Sequence, residues 1–297
     1  MATKIESRPP ISPYVGLGVG ITIVATASIA IRYAQGEAPS LSIAAWRLTI
    51  ASLILTPVVL SRHRDELARL TRSEWTRAVA SGFLLALHFA TWITSLELTS
   101  VAASVVLVAT NPLFVGLLSP LLLKEPVARR MLAGILVAVV GSGILSLGGL
   151  GAGADPLMGD LLALAGAACA AGYMMIGRTL RPKIALLTYV FVVYGVAAIL
   201  LLSVALASRQ PMGGFSAATF GWLLYLALGP QLIGHTSYNW ALRYLSAAYV
   251  TVTLLSEPIG ASLLAWILLQ EPPTSLELAG GALILMGIAI ASRAERT

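Results

Sequence analysis

Apolar residues in this chain neither alternate as in strands nor keep to one helical stripe. They fill long runs on every face, and the charges collect in short gaps between the runs. An α-helix needs about 20 mostly apolar residues to cross the hydrocarbon core of a bilayer. Ten runs of that kind can be marked, at 14–34, 41–61, 77–97, 100–122, 129–150, 158–178, 184–207, 220–241, 246–269 and 275–293. The gaps are short enough to make successive helices antiparallel, and none is long or polar enough to be a soluble domain. The pattern predicts an all-α membrane protein of ten transmembrane helices, with short tails at 1–13 and 294–297.

Composition agrees. Hydrophobic residues make up 58% of the 297 and charged residues only 11%, with a net charge of +6; a soluble surface needs roughly a quarter charged residues. The basic excess suggests nucleic acid only until its placement is read. It falls between apolar runs rather than on one polar face, so the expected partner is the lipid bilayer, with no nucleic acid. The single cysteine, Cys169, lies in the apolar run 163–171 and cannot form an internal disulfide, which makes it a packing residue.

Lysine and arginine set the expected orientation. With the N-terminus in the cytoplasm, every one of the 19 except Arg32, Arg47 and Arg209 falls on the cytoplasmic side, including Lys4, Arg8, the Arg62–Arg77 cluster, Lys124, Arg178, Arg243 and Arg296. The positive-inside rule then predicts both termini in the cytoplasm. Lys4 and Arg8 before the first run, with small residues at Ser28–Ala30, have the outline of a cleaved signal peptide, but an internal repeat requires that run as a helix.

The repeat has a constant shift of 146 residues. It carries Lys124-Glu125-Pro126 to Gln270-Glu271-Pro272, Asn111-Pro112 to Glu257-Pro258, Gly134 to Gly280 and Gly141 to Gly287. It also carries Arg32 to Arg178, Gly20 to Gly166, Leu96 to Leu242 and Ser100 to Ser246. The copies are 14–150 and 158–293. Each holds five helices, an odd number, so the second must enter the membrane from the opposite side. Inverted repeats are a transporter architecture, in which substrate sits near the midplane between copies that rock against each other.

These features resemble the EamA family of the drug/metabolite transporter superfamily: the five-plus-five arrangement, Trp46-Arg47 early in the second helix, Asn111-Pro112 and Glu257-Pro258 within helices four and nine, and the Glu-Pro after each. Within the family the chain looks like the YddG-type bacterial exporters of aromatic and other amino acids. That resemblance implies efflux across a bacterial inner membrane by alternating access. The fold does not name the cargo, since relatives carry nucleotide sugars, triose phosphates, purines or drugs.

Candidate cargo-binding residues cluster on two helices. Ser81, His88, Thr91, Trp92 and Ser95 recur at spacings that line one face of the third helix. Gln231, His235, Tyr238 and Asn239 repeat the idea on the eighth, where Tyr238 is the repeat mate of Trp92. Two aromatics with hydrogen-bonding neighbours suit an amphipathic solute, whereas interfacial Trp and Tyr can equally mark the headgroup level. His88 lies at mid-helix and His235 nearer the cytoplasmic end; each reads as a cargo contact or as an interhelical hydrogen bond. Tyr173, Met174 and Met175 read as an adaptable cavity wall or as packing. Gly16, Gly18 and Gly20 read as a close helix approach, with a hinge as the alternative.

Pro112 and Pro258 lack the amide proton owed to residues 108 and 254, so both helices should kink there, as hinges or as sources of a free carbonyl. Glu257 precedes one of them. A carboxylate in hydrocarbon must be paired, hydrated or protonated. It reads as a proton acceptor or ammonium partner, or as a structural bond across the repeat interface, where the first copy has Asn111. Arg47 reads as structural, with snorkelling to the interface or a substrate carboxylate as alternatives. Two isolated histidines make no metal site, and no cofactor is expected.

The leading expectation is a secondary transporter exporting amino acids, aromatic and other neutral ones. A multidrug or purine and nucleotide-derivative carrier is the alternative. Phosphorylated cargo would favour several basic residues inside helices, where only Arg47 lies. An enzyme is not expected, because neither HExxH nor GxSxG occurs and no paired carboxylates lie in the membrane. A channel would need a continuous polar lining.

Overall fold

The computed structural model describes residues 9, 11–99, 101–147, 153–269 and 275–295. Most of the tail at 1–13 with Lys4 and Arg8, Ser100, the Gln270-Glu271-Pro272 motif, and Arg296 in the tail 294–297 lie outside them. Among the described residues all regular secondary structure is helical: α1 (Pro13–Val24), α2 (Ala27–Ala34), α3 (Ser40–Arg62), α4 (Arg64–Arg69), α5 (Arg72–Leu98), α6 (Val101–Val108), α7 (Asn111–Leu122), α8 (Arg129–Ser146), α9 (Pro156–Leu180), α10 (Leu186–Ala207), α11 (Ala217–Leu226), a π-helical stretch (Ala227–His235), α12 (Thr236–Ala241), α13 (Ala247–Leu254), α14 (Glu257–Leu269) and α15 (Ser275–Glu295). Seven of these helices, some built from joined pieces, are long and apolar enough to cross a membrane.

The outer surface is apolar. Leu53, Leu117, Leu121, Leu157 and Ile199 are each at least 64% exposed, which only a hydrocarbon surrounding tolerates over a whole bundle. Inside, small residues let backbones close on one another. A Cβ added to Gly134 would lie 2.6 Å from the carbonyl oxygen of Gly287, and one on Gly141 would lie 2.7 Å from that of Gly280. Residue numbers rise along α8 while their partners fall along α15, so these two helices run antiparallel. They are the fifth helix of each copy.

The same register links the first and third helices. Gly20 on α1 meets Ser237, Tyr238 and the carbonyl of Gly234, while Gly166 on α9 meets Thr91, Trp92 and the carbonyl of His88. Each partner of Gly166 shifted by 146 is a partner of Gly20. Gly16 packs on the Trp240 ring, but nothing lies within 4 Å of a Cβ on Gly18, so two of the three glycines expected at a close approach are at one.

Charges mark the two ends. At one end Arg178 on α9 pairs with Glu125 at 2.8 Å and donates to the carbonyl of Leu242 at 3.0 Å, and Glu66 accepts from the amide of Ala185 at 2.8 Å. At the other end Glu97 accepts from the amide of Ser40 at 3.0 Å, Thr99 donates to Asp160 at 2.9 Å, and Glu37 accepts from the amide of Ser216 at 2.7 Å and from Thr219 Oγ1 at 2.9 Å. Those donors, the Ser216 amide foremost, hold the Glu37 carboxyl below its usual range.

Proline breaks the helices more sharply than a kink. The fourth and ninth runs each divide, α6 from α7 at residues 109–110 and α13 from α14 at 255–256. Pro112 and Pro258 sit in the first turn of the new helix, where a missing amide proton costs nothing. Asn111 and Glu257 therefore begin helices at mid-bundle instead of projecting from unbroken ones.

Candidate functional site

The two breaks, α5, α9 and the joined α11–α12 helix enclose a buried chamber. It is lined by Val24, His88, Trp92, Val108, Ala109, Asn111, Ala170, Tyr173, Met174, His235, Tyr238, Leu254 and Glu257. Four pairs of these are repeat mates: Val24 with Ala170, Trp92 with Tyr238, Val108 with Leu254, and Asn111 with Glu257. Phe89 and His235 are mates as well, and their rings touch, with centroids 5.1 Å apart. Residues that contact their own mates lie next to an axis relating the copies, and the chamber surrounds that position.

Aromatic rings form its walls. Trp92 stacks on His88, with centroids 5.8 Å apart and planes 12° from parallel. His88 stands 6.3 Å from His235, and His235 stands 5.4 Å from Tyr238 and 6.4 Å from Tyr173. His235, read from sequence as nearer the cytoplasmic end than His88, thus stands beside it, and it is the repeat mate of Phe89, the neighbour of His88.

Hydrogen bonds orient the polar groups. Tyr238 Oη donates to Glu257 Oε1 at 2.8 Å. Asn239 donates through Nδ2 to the Tyr173 hydroxyl and, at 2.8 Å, to the carbonyl of His235. His88 Nδ1 lies 3.0 Å from the carbonyl oxygen of Gly166. That oxygen can only accept, so Nδ1 carries the proton and Nε2 of the neutral ring is an acceptor. Trp92 Nε1, Asn111 Oδ1, Asn239 Oδ1 and His235 Nδ1 are buried without a hydrogen-bond partner among the described residues. Such unmatched donors and acceptors are what a polar ligand satisfies.

Of the residues singled out from sequence, His88, Trp92, Asn111, Tyr173, His235, Tyr238 and Glu257 line the chamber, and Asn239 stands behind Tyr173. Pro112 and Pro258 form the helix starts beside it. Met174 lines it, whereas Met175 is buried without lining it. Thr91 turns away, its hydroxyl bonded to the carbonyls of its own helix. Arg47 does not reach an interface: it is 0% exposed, bonded through Nε to Gln231 Oε1 at 2.8 Å. Phe89 was overlooked because an apolar residue between His88 and Ala90 gives no chemical signal; only its equivalence to His235 marks it.

The chamber is small, about 40 Å³, enough for a few waters and far below the roughly 300–1,000 Å³ of pockets that enclose drug-sized ligands. Among the described residues no group of three or more His, Cys, Asp or Glu side chains is placed to hold a metal ion.

The model of the EamA-like transporter family matches this chain twice, over residues 13–147 and 157–293. An uncharacterized transporter of Archaeoglobus fulgidus is 25% identical over 94% of this chain and 98% of its own length. The uncharacterized transporter YyaM of Bacillus subtilis is 21% identical over 93% and 92%. A probable terminal-alkyne amino-acid exporter of Streptantibioticus cattleyicolor is 28% identical over 63% of this chain and 62% of that one. One solved crystal structure superposes with a TM-score of 0.80 at 19% identity, covering 97% of this chain and 100% of the other; that likeness concerns the fold alone.

Proposed function

Because this chain belongs to the EamA-like transporter family, we propose that it is a secondary transporter that exports amino acids, aromatic and other neutral ones, through the chamber between its copies. The observation that carries the reading is the chamber's composition: rings from both copies surround a few unmatched polar atoms and one carboxylate. An amino acid offers an apolar side chain to the Trp92, His88, His235 and Tyr238 rings, and an ammonium group to Glu257. The name of the Streptantibioticus relative favours the same cargo class.

The architecture proposed with it has ten spans in two inverted copies, at 14–150 and 158–293, with the tails 1–13 and 294–297 in the cytoplasm of a bacterial cell and the bundle in its inner membrane. The antiparallel crossing of α8 and α15, mates by repeat, supports the inversion. The gathering of Arg62, Arg178 and Arg243 at the end opposite Glu37, Glu97 and Asp160 supports the orientation. Alternating access follows from two like units that exchange roles about their shared axis.

The test is counterflow in proteoliposomes across amino acids, sugar phosphates and purines, with and without a pH gradient. Saturable movement of amino acids, lost in Trp92→Ala and Tyr238→Ala, is expected. Transport confined to phosphorylated compounds rejects the reading. Accumulation driven equally by a pH gradient in wild type and Glu257→Gln would remove Glu257 as a proton carrier.

A further inference from the structure

Arg47 has no task in the chamber as described. It stands in the interior of α3, and its guanidinium carbon lies 4.2 Å from the centre of the Phe89 ring. Its Nε is bonded to Gln231, but Nη1, Nη2 and the neighbouring Gln231 Nε2 are buried and meet no partner among the described residues. All three atoms donate and none accepts. Ion pairs among the described residues join His63 to Glu66 and Arg178 to Glu125, so no described carboxylate touches this cation, and Glu257 acts on it only from a distance. A buried cation with free donors is costly, and a cluster made of donors alone calls for an anion with several lone pairs. The flat fork of a guanidinium matches a carboxylate by two parallel hydrogen bonds.

The position favours a group brought by the cargo. Phe89 lies against Arg47 and also packs on His88 and His235, with ring centroids 4.8 and 5.1 Å away. Both histidines line the chamber. We propose that Arg47 and Gln231 form the receptor for the α-carboxylate of the transported amino acid, reached past Phe89 when the chamber expands, with Glu257 and Tyr238 facing the ammonium end. This rests on the amino-acid reading above, and adds to it a reason for the cargo to be a free acid. The second copy has Val193 in place of Arg47, so the receptor is single and gives the chamber a polar direction.

The full-length protein in proteoliposomes tests it, by counterflow of labelled L-phenylalanine. L-phenylalanine methyl ester and phenethylamine keep the ring and amine but lack the carboxylate, and they should compete about 30-fold more weakly than L-phenylalanine, or worse. Arg47→Gln should abolish that discrimination. Gln231→Glu, which gives Arg47 an internal partner, should weaken L-phenylalanine competition while sparing phenethylamine. Equal competition by the ester and L-phenylalanine in wild type overturns the proposal, whether or not a variant folds. So does a folded Arg47→Gln protein that still discriminates. Discrimination that vanishes when chloride is replaced by gluconate would assign the donors to an inorganic anion and equally refute it. Wild type that moves no amino acid at all brings down the amino-acid reading itself, and this receptor with it; the ester comparison separates that failure from the narrower one.

Discussion

Tyr238→Phe removes one oxygen atom from the chamber and little else. The ring keeps its place 5.4 Å from His235, but the 2.8 Å bond to Glu257 is lost. A buried hydrogen bond contributes about 0.5–1.5 kcal/mol between neutral groups and about 1.5–3 kcal/mol to a charged one, and each kcal/mol moves the midpoint by roughly 2–4 °C for a chain of this order of size. Tyr238→Phe should therefore unfold about 1–12 °C lower in detergent, followed by intrinsic tryptophan fluorescence at one heating rate. Glu257→Gln changes the other end of the same bond. If the two residues act as a pair, the double variant loses little more than the worse single one, with a coupling of about 0.5–3 kcal/mol. Losses that add to within about 0.5 kcal/mol would refute the reasoning, because the bond would then contribute nothing that either group does not contribute alone. Counterflow on the same proteins separates stability from transport: a Tyr238→Phe protein that folds yet carries amino acids at the wild-type rate would remove this hydroxyl from the cargo site.

Gly287→Ala should destabilise by about 1–3 kcal/mol, since its Cβ would lie 2.5 Å from the Gly134 carbonyl oxygen. Gly18→Ala, with open space around its Cβ, should be neutral or gain up to about 1 kcal/mol from helix propensity; equal melting of the two proteins would contradict the close crossing of α8 and α15. Glu125→Gln breaks a part-exposed ion pair and should cost at most about 1 kcal/mol, whereas Arg178→Ala also loses its bond to the Leu242 carbonyl and should cost more; the reverse order in a thermal melt would show that the pair, not the carbonyl bond, holds this end. For Glu37, the folded carboxyl titrates below its ordinary value of 4.5, so the stability it lends is complete above that value and fades as pH falls through the lower folded one. The gap between wild type and Glu37→Gln in melts should narrow below pH 4.5, and a gap that widens there would reject the carboxylate cap.

Long apolar runs, the shift of 146 and most of the chamber were legible in the residues because each depends on spacing. Hydrocarbon length dictates the runs, and duplication preserves register, so Trp92 and Tyr238 could be paired before any coordinates. Three features were not legible. The π-helical stretch Ala227–His235 around Pro230 has a regular α-helical mate in α5, and local composition does not separate the two. The proline breaks looked like kinks because a missing amide proton tells that a helix is disturbed, not that a new one starts at Asn111 or Glu257. Arg47 read as structural, but its full burial and its bond to Gln231 were not legible, because they depend on α3 lying against α10 and the π-helical stretch, contacts between copies that no local pattern encodes.

The chamber combines two demands that pull against each other, and the duplicated sequence meets them with different residues. The proposed exchange between inward and outward states would call for two units alike in their packing, and the matched glycine crossings of α1, α5, α9 and the π-helical stretch, and of α8 with α15, are alike in the two copies. Selecting an amphipathic solute needs the reverse, a site whose ends differ. Mates that differ in chemistry supply it, among them Asn111 against Glu257, Phe89 against His235, His88 against Gly234, and Arg47 against Val193. Restoring symmetry at one of them is therefore expected to affect recognition while leaving the exchange intact. Glu257→Asn would make the two helix starts alike. It should lower the competition of L-phenylalanine relative to 3-phenylpropanoate, which lacks the ammonium group, without slowing counterflow at saturating cargo. A variant that binds as before but exchanges slowly would place Glu257 in the rocking motion instead of the site, and the division of labour between walls and polar groups would fail.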